Sequence, residues 1–367
     1  MNRTTFNDIT LLQYIFAING IQIGIGVLTL PREIASVAGT SGWISIIFGW
    51  IISILASFII ITIMKQHPND TIFDLLNRYF GKYFGRLISI VWICYFAIAS
   101  FILLTATIRI MVIWVLPETL YFLLAFLVLV PWVFIARNGL RIISRYTQLV
   151  FIITLWMPMI LLIPLKDATW LNLLPVIKDN WKEVFVGVKT TMFSYFGFEV
   201  AFILYPFLKN KERAYLGIFI ANTITLLVFL QITVSCFVVF TLEDLNGLIW
   251  PTLSLLKPIS FQFLERLEIV FLSAYLFQIS TTGIPFLYFT TLGISQIIGW
   301  KDHQYVLYVF AVLLIIVTLI FNPSYDTVSS LGEKWANFGI WLILVFPPIL
   351  LMYMYVKNKW KKKGIGL

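Results

Sequence analysis

The sequence predicts an all-α integral membrane protein with about ten transmembrane helices in a five-plus-five inverted repeat, whose first and sixth helices are broken. The 367-residue chain is 60% hydrophobic and only 12% charged, whereas soluble domains carry about 25% charged residues. Apolar runs such as 43–64 and 305–321 approach the roughly 20 residues that cross a bilayer as a helix. Two runs, one in each half of the chain, are interrupted by glycine near mid-span.

Length and hydropathy place the spans along the chain. We expect them at 9–31, 38–64, 87–113, 119–136, 142–164, 184–207, 214–240, 267–297, 304–321 and 336–356. The whole chain, 1–367, is treated as one transmembrane domain. Its first five-helix repeat is assigned to 1–165 and its second to 184–357, because each begins with a glycine-interrupted span of opposite direction.

Basic residues concentrate in alternate loops. If the N-terminus lies inside, most of the 26 lysines and arginines fall in cytoplasmic segments, including the lysine-rich C-terminus. The positive-inside rule then predicts a multi-pass protein with both termini in the cytoplasm. The net charge of +9 is thereby explained by membrane topology, and we expect the lipid bilayer but no nucleic acid as a partner.

The cysteines and histidines, which in other proteins often catalyse reactions or bind metals, are scattered along this chain. Cys94 and Cys236 lie in separate apolar runs, and His67 and His303 lie in separate short loops. This spacing indicates neither a disulfide framework nor a metal site. The chain also contains no nucleotide-binding, zinc or nucleophile motif. We therefore expect a protein that is not an enzyme and holds no cofactor or metal.

The first interrupted span carries three closely spaced glycines followed by Pro31. If the helix unwinds there, its outer half begins with free amides and the positive end of its dipole, which suit a carboxylate. The alternative is a close helix contact through Gly20 and Gly24. The third glycine, the proline and the matching break in the second half favour the interrupted helix. The ligand contacts expected here are Gly24, Ile25, Gly26 and Val27.

The second interrupted span reads Phe-Ser-Tyr-Phe-Gly-Phe-Glu over 193–199. Free carbonyls near Phe193 and Ser194 could accept hydrogen bonds from an ammonium group, and the aromatic rings could cover a ligand. Each ring taken singly is better explained by packing or contact with lipid. The ligand contacts expected here are Phe193, Ser194, Tyr195, Gly197 and Phe198. The two breaks together offer donors for a carboxylate and acceptors for an amine, as an amino acid requires.

Three further polar residues lie inside predicted spans. Glu199 is the only acidic residue well inside one, and ionisable groups at such depth are functional candidates. It either carries a coupling proton or ties loose amides at the broken helix, and both roles stay open. Thr281 and Thr282 either bond to backbone within the helices or contribute to a ligand or cation site with carbonyls of the first span.

The segment 193–199 resembles the sixth-span signature of amino acid–polyamine–organocation transporters. More narrowly, the chain resembles the spore germination permease family, the B subunits of nutrient germinant receptors. The similarity extends over essentially the whole chain. Its matching features are Gln13, Leu28-Thr29-Leu30-Pro31, Ala38-Gly39, Trp43, the segment from His67-Pro68 to Gly81-Lys82-Tyr83-Phe84-Gly85, and Asn138-Gly139-Leu140 with Ile143 and Arg145. Thr40-Ser41-Gly42 before Trp43 departs from the family pattern, in which a more polar pair is typical.

The resemblance implies a receptor that binds a small germinant, typically an amino acid, in the spore inner membrane. It also implies a complex with an A-type membrane subunit and a C-type lipoprotein. From the residues alone, the alternative is a proton- or sodium-coupled amino acid transporter. A purely structural scaffold is disfavoured because it needs no paired breaks.

Overall fold

A computed structural model describes residues 8–175, 181–259, 266–300, 302–321 and 324–362. Within these ranges the chain is helical, and its one bridge of β type joins Ile9 to Leu208, so the predicted all-α class is confirmed. The α-helices are α1 (Leu11–Gln22), α2 (Gly26–Ala38), α3 (Gly42–Gln66), α4 (Ile72–Trp114), α5 (Tyr121–Ala136), α6 (Leu140–Thr154), α7 (Trp156–Ile160), α8 (Trp181–Tyr195), α9 (Ala201–Leu204), α10 (Ala214–Val239), α11 (Leu242–Gly247), α12 (Pro251–Ser254), α13 (Leu267–Ile298), α14 (Gln304–Phe321), α15 (Tyr325–Ile340) and α16 (Phe346–Lys362).

Seven helical stretches in the described part of the chain are long and apolar enough to cross a membrane. They are Gly26–Gln66, Ile72–Trp114, Leu140–Lys166, Lys211–Val239, Leu267–Ile298, Gln304–Phe321 and Asp326–Lys359. Shorter helices occupy the other predicted spans: α1 in the first, α5 in the fourth, and α8 with α9 in the sixth.

The first predicted span continues beyond its expected end. The sequence predicts an end near Pro31, whereas α2 runs to Ala38. Proline lacks an amide hydrogen, so the carbonyl four residues earlier loses its helical donor. That carbonyl belongs to Val27, and the Thr252 hydroxyl donates to it at 2.7 Å. A distant side chain therefore compensates for the proline and lets the helix continue.

The third predicted span begins earlier than expected. The sequence predicts a loop before 87–113, whereas α4 already starts at Ile72. Thr71 and Asp74 form a capping box, in which each side chain accepts a hydrogen bond from the other residue's amide, and such boxes start helices. Gly81 has a φ of 78° and separates this short first helix from the long apolar helix that follows.

The interrupted elements lie at the centre of the helical bundle. Helix α1 packs against α6, α10 and α13, and α8 packs against α2 and α3. The bridge joins Ile9, just before α1, to the segment after α9, with the Ile9 amide donating to the Phe207 carbonyl at 2.9 Å. The junction of α1 with α2 lies close to the end of α8, where the Gln22 side-chain amide donates to the Tyr195 carbonyl at 2.9 Å.

Candidate functional site

The first glycine-rich segment separates two helices. Helix α1 ends at Gln22, Ile23 leaves helical geometry with a ψ of 61°, and α2 begins at Gly26. A helix end leaves carbonyls and amides without partners inside the helix. At the start of α2, Ile25 provides no side-chain cap, and a short turn from the Leu28 amide to the Ile25 carbonyl, 2.9 Å, begins the new helix.

Helix α13 satisfies the carbonyls at the end of α1. The hydroxyls of Thr281 and Thr282 donate to the Gly20 carbonyl at 3.1 and 3.0 Å. The Gln278 amide donates to the Ile23 carbonyl at 3.4 Å, and the Tyr275 hydroxyl donates to the Gly24 carbonyl. The two threonines therefore hold the last turn of α1, and Gln278 and Tyr275 hold the unwound backbone that follows it.

The second interruption follows Tyr195, where α8 ends. Gly197 adopts a φ of 128° and precedes a 3-10 turn at Phe198–Val200, a backbone conformation that glycine reaches without steric penalty. A Cβ atom on Gly197 would lie 2.9 Å from the Ile21 side chain and 3.1 Å from the backbone nitrogen of Gln22. The two interruptions thus face each other across a contact that leaves no room for a side chain.

A cavity of about 540 Å³ opens beside the two interruptions, within the range of 300–1,000 Å³ that is common for small-molecule sites. Polar groups of α2, α8 and α13 and several aromatic rings line it. Six of the predicted ligand contacts line it, namely Gly24, Ile25, Gly26, Phe193, Ser194 and Thr282.

The other predicted site residues contact the protein behind this lining. The Val27 carbonyl accepts from Thr252, and the Tyr195 hydroxyl donates to the Ile46 carbonyl at 3.2 Å. Thr281 bonds to Gly20 as described above, while Phe198 is fully buried and Gly197 abuts α1. These residues shape the junction, and their direct contact with a ligand stays a prediction.

Comparison with known proteins agrees with this architecture. The family model described as spore germination protein matches residues 8–326. The chain belongs to this family. The resemblance to spore germination permeases that the sequence indicated is thereby confirmed, and the seven apolar helices identify this spore germination protein as a multi-pass membrane protein.

Relatives in this family match along nearly the whole chain. Spore germination protein GerQB of Bacillus cereus is 27% identical over 348 residues, which cover 95% of this chain and 96% of the relative. Spore germination protein YndE of Bacillus subtilis (strain 168) is 28% identical over 363 residues and 98% of each chain. Among solved structures, MhsT in complex with L-phenylalanine superposes with a TM-score of 0.53 at 12% identity, covering 94% of this chain and 98% of MhsT. That likeness shows a shared fold.

Glu199 of this spore germination protein lies at the second interruption and is fully buried. One carboxylate oxygen accepts from the Gly197 amide at 2.6 Å, and the other accepts from the Tyr95 hydroxyl at 3.1 Å. The geometry is that of a structural tie between the broken helix and α4. The alternative role as a proton carrier stays a prediction.

A buried polar network between α1, α3 and α10 was not predicted from the sequence. The side-chain amide of Gln22 donates to the Tyr195 carbonyl at 2.9 Å and to the side-chain oxygen of Asn222 at 2.8 Å. Ser53 donates to the same Asn222 oxygen at 3.0 Å, and Thr225 donates to Gln22 at 2.7 Å. Polar amides inside apolar spans were a signal available in the sequence, because such groups often bond between membrane helices.

Two acidic side chains on the cavity wall were also missed. Glu33, Arg109 and Glu333 line the cavity, and the Arg109 guanidinium lies 5.1 Å from the centre of the Tyr121 ring. The predicted spans excluded both glutamates, because the first ended at 31 and the last began at 336. The longer helices of the structure bring both carboxylates to the cavity wall.

Proposed function

We propose that this protein is the membrane subunit of a nutrient germinant receptor and that it binds a small germinant, an amino acid, in the cavity between the two interruptions. The observation that carries the proposal is that the uncapped N-terminus of α2 lines this cavity. Free amides and the positive end of a helix dipole favour a bound carboxylate. Germinant binding would shift the bundle between two conformations, which requires different affinities for the two states.

The end of α8 supplies the acceptor that we assign to the ammonium group. The Gly197 amide donates to Glu199, so the Phe193 carbonyl loses the donor that a continuous helix would supply. The Tyr195 carbonyl is already occupied by Gln22. Phe193 and Ser194 line the cavity, and we assign the ammonium group to this side.

We further propose ten spans in a five-plus-five inverted repeat, with 1–165 and 184–357 as the two halves. The packing supports this arrangement, because α1 of the first half packs against α10 and α8 of the second half packs against α3. Each broken helix thus contacts the long helix that follows the other one, as inverted repeats around a central site do.

The receptor that we propose resides in the spore inner membrane with both termini in the cytoplasm. Its partners would be an A-type membrane subunit and a C-type lipoprotein, as the family resemblance implies. The match to the spore germination protein family supports this assignment.

Binding by the purified protein tests the proposal. The protein in lipid nanodiscs is titrated with each of the twenty radiolabelled L-amino acids and with the corresponding D-enantiomers. We expect saturable, stereospecific binding of at least one L-amino acid. Gly26→Val should weaken it by about tenfold or more, because even a Cβ atom at this position would lie 2.9 Å from the Ser194 hydroxyl.

Gly247→Val is the matched control, since no atom lies within 4 Å of a Cβ at that position. It should bind like the wild type. The proposal is wrong if no L-amino acid binds saturably, or if Gly26→Val binds as tightly as the control.

A coupled amino acid transporter is the second candidate, and the burial of Glu199 at the broken helix favours it. In proteoliposomes with an imposed proton or sodium gradient, a transporter would accumulate the radiolabelled amino acid. A sensor would bind it without accumulation.

A further inference from the structure

Trp335 belongs to α15, which lies outside both interrupted segments, yet its indole lines the cavity together with Phe196 and Phe286. The ring centroid of Trp335 lies 6.1 Å from that of Phe196 and 6.4 Å from that of Phe286, with interplanar angles of 77° and 78°. These edge-to-face contacts are favourable for aromatic pairs. They join α13, α15 and the residue that follows α8 into one apolar wall.

Tyr95 of α4 holds the indole in place. Its Nε1–H donates to the Tyr95 carbonyl at 2.9 Å, and its ring stacks on the Tyr95 ring with centroids 4.8 Å apart and an interplanar angle of 15°. The polar atom of the side chain is therefore satisfied away from the cavity. The face and edge that remain present an apolar surface.

Neighbouring contacts restrict movement of the aromatic side chains in this wall. Gly339 follows Trp335 by about one helical turn, and a Cβ atom there would lie 2.6 Å from the Phe196 ring. Helix α15 thus rests directly on Phe196. The Tyr95 ring beneath the indole is in turn held by its hydroxyl bond to Glu199.

The cavity lining combines polar and charged groups with the aromatic wall. Phe286 lies one helical turn after Thr282 on α13, and Phe196 lies two residues after Ser194. An amino acid whose backbone is bound by Gly26, Ser194 and Thr282 would therefore have its side chain within reach of the wall. We infer that Trp335 is a specificity-determining residue, which limits the size of the germinant side chain. This inference rests on the proposed amino acid site.

Removal of the indole tests the inference. Trp335→Ala and wild type in nanodiscs are titrated with the twenty radiolabelled L-amino acids, and affinities are compared between those with small and those with large apolar side chains. We expect Trp335→Ala to shift the affinity ratio of L-phenylalanine to L-alanine by about tenfold or more in favour of L-phenylalanine, as filling of an apolar pocket requires.

Trp341→Ala is the matched control, because Trp341 follows on the same helical stretch and is 68% exposed. It should leave the ratio unchanged. Trp335→Phe keeps an aromatic ring but removes the larger indole, and it should shift the ratio in the same direction by less. If Trp335→Ala does not fold, the Trp335→Phe result decides.

Two failures have different signatures. An unchanged ratio in the Trp335 variants, with normal binding by wild type, overturns the role of Trp335 and leaves the proposed receptor intact. The role of Trp335 is also overturned, and the receptor proposal is left intact, if wild type already binds L-tryptophan or L-phenylalanine more tightly than every smaller amino acid. Absence of binding by wild type for all twenty amino acids overturns both proposals.

Discussion

Gly197 and Glu199 illustrate how single residues maintain an interrupted helix inside an apolar bundle. Gly197 takes a positive φ of 128°, and its amide is then directed to the Glu199 carboxylate rather than to a helical carbonyl. Buried amides without a partner cost about 1–3 kcal/mol, so the carboxylate compensates for the break. Glycine and glutamate therefore depend on each other at this position.

Replacing Gly197 by alanine should destabilise the protein. The added Cβ would meet Ile21 and Gln22 within about 3 Å, and the positive φ adds backbone strain, so we expect a loss of about 1–3 kcal/mol. Thermal unfolding of the purified protein in detergent measures it as a lower Tm. Gly247→Ala, at a position with open space, is the control. Equal Tm values for the two variants would contradict the argument.

At the level of elements, the C-terminal helices connect the cavity wall to the start of α4. Helix α15 continues through a π-helical turn, Trp341–Val345, into α16, and π-helical turns are frequent at functional sites. Lys357 of α16 donates to the Tyr79 carbonyl at 2.6 Å. The Tyr79 hydroxyl in turn lies 2.7 Å from His67 Nε2. Tyr79 of α4 therefore links α16 to the loop between α3 and α4.

We expect protonation of His67 to make that loop sensitive to pH. Burial lowers the pKa of its imidazole, the Arg78 guanidinium lowers it further, and Asp70 opposes them. Below the ordinary pKa of about 6.5, the unfolded chain therefore binds more protons than the folded one, and stability falls as the pH drops. Above that pKa, His67 is neutral in both the folded and the unfolded chain, and its contribution to stability is retained.

Hydrogen exchange checks this pH dependence. After correction for intrinsic rates, amides of residues 65–71 should exchange faster at about pH 5 than at about pH 8. His67→Gln removes the titrating group and should flatten the difference. A pH response that is the same in His67→Gln and wild type would assign the effect to another group.

For the whole molecule, the distribution of charge predicts the orientation in the membrane. The lysines at the C-terminal end and those in alternate loops indicate a cytoplasmic side. Lys257, which follows α12, falls on the opposite side in the predicted topology. Both Lys257 and Lys359 are exposed, so their accessibility reports the orientation directly.

Single-cysteine labelling measures this topology in a background in which Cys94 and Cys236 are replaced. A membrane-impermeant maleimide should label Lys257→Cys in intact cells and Lys359→Cys only after permeabilisation. Each site serves as the control for the other. Labelling of Lys359→Cys in intact cells would place the C-terminus outside and require an odd number of spans or the reverse orientation.

The sequence by itself determined the class of molecule, the family and the places where two helices are interrupted. These properties follow from composition and from local residue order, since long apolar runs require a bilayer and clustered glycines weaken a helix where they stand. Helix ends were less well determined. The continuation past Pro31 depends on Thr252, which lies 225 residues away from the carbonyl it satisfies.

Only the tertiary structure decided which groups satisfy the interrupted backbone and which residues surround the cavity. Gln22 meets Asn222 across 200 residues of sequence, and Trp335 meets Tyr95 across 240. Such pairs arise from the packing of helices rather than from any local pattern. In an apolar core each polar group must find a partner within the protein, and the folded arrangement of helices determines which partner is close enough.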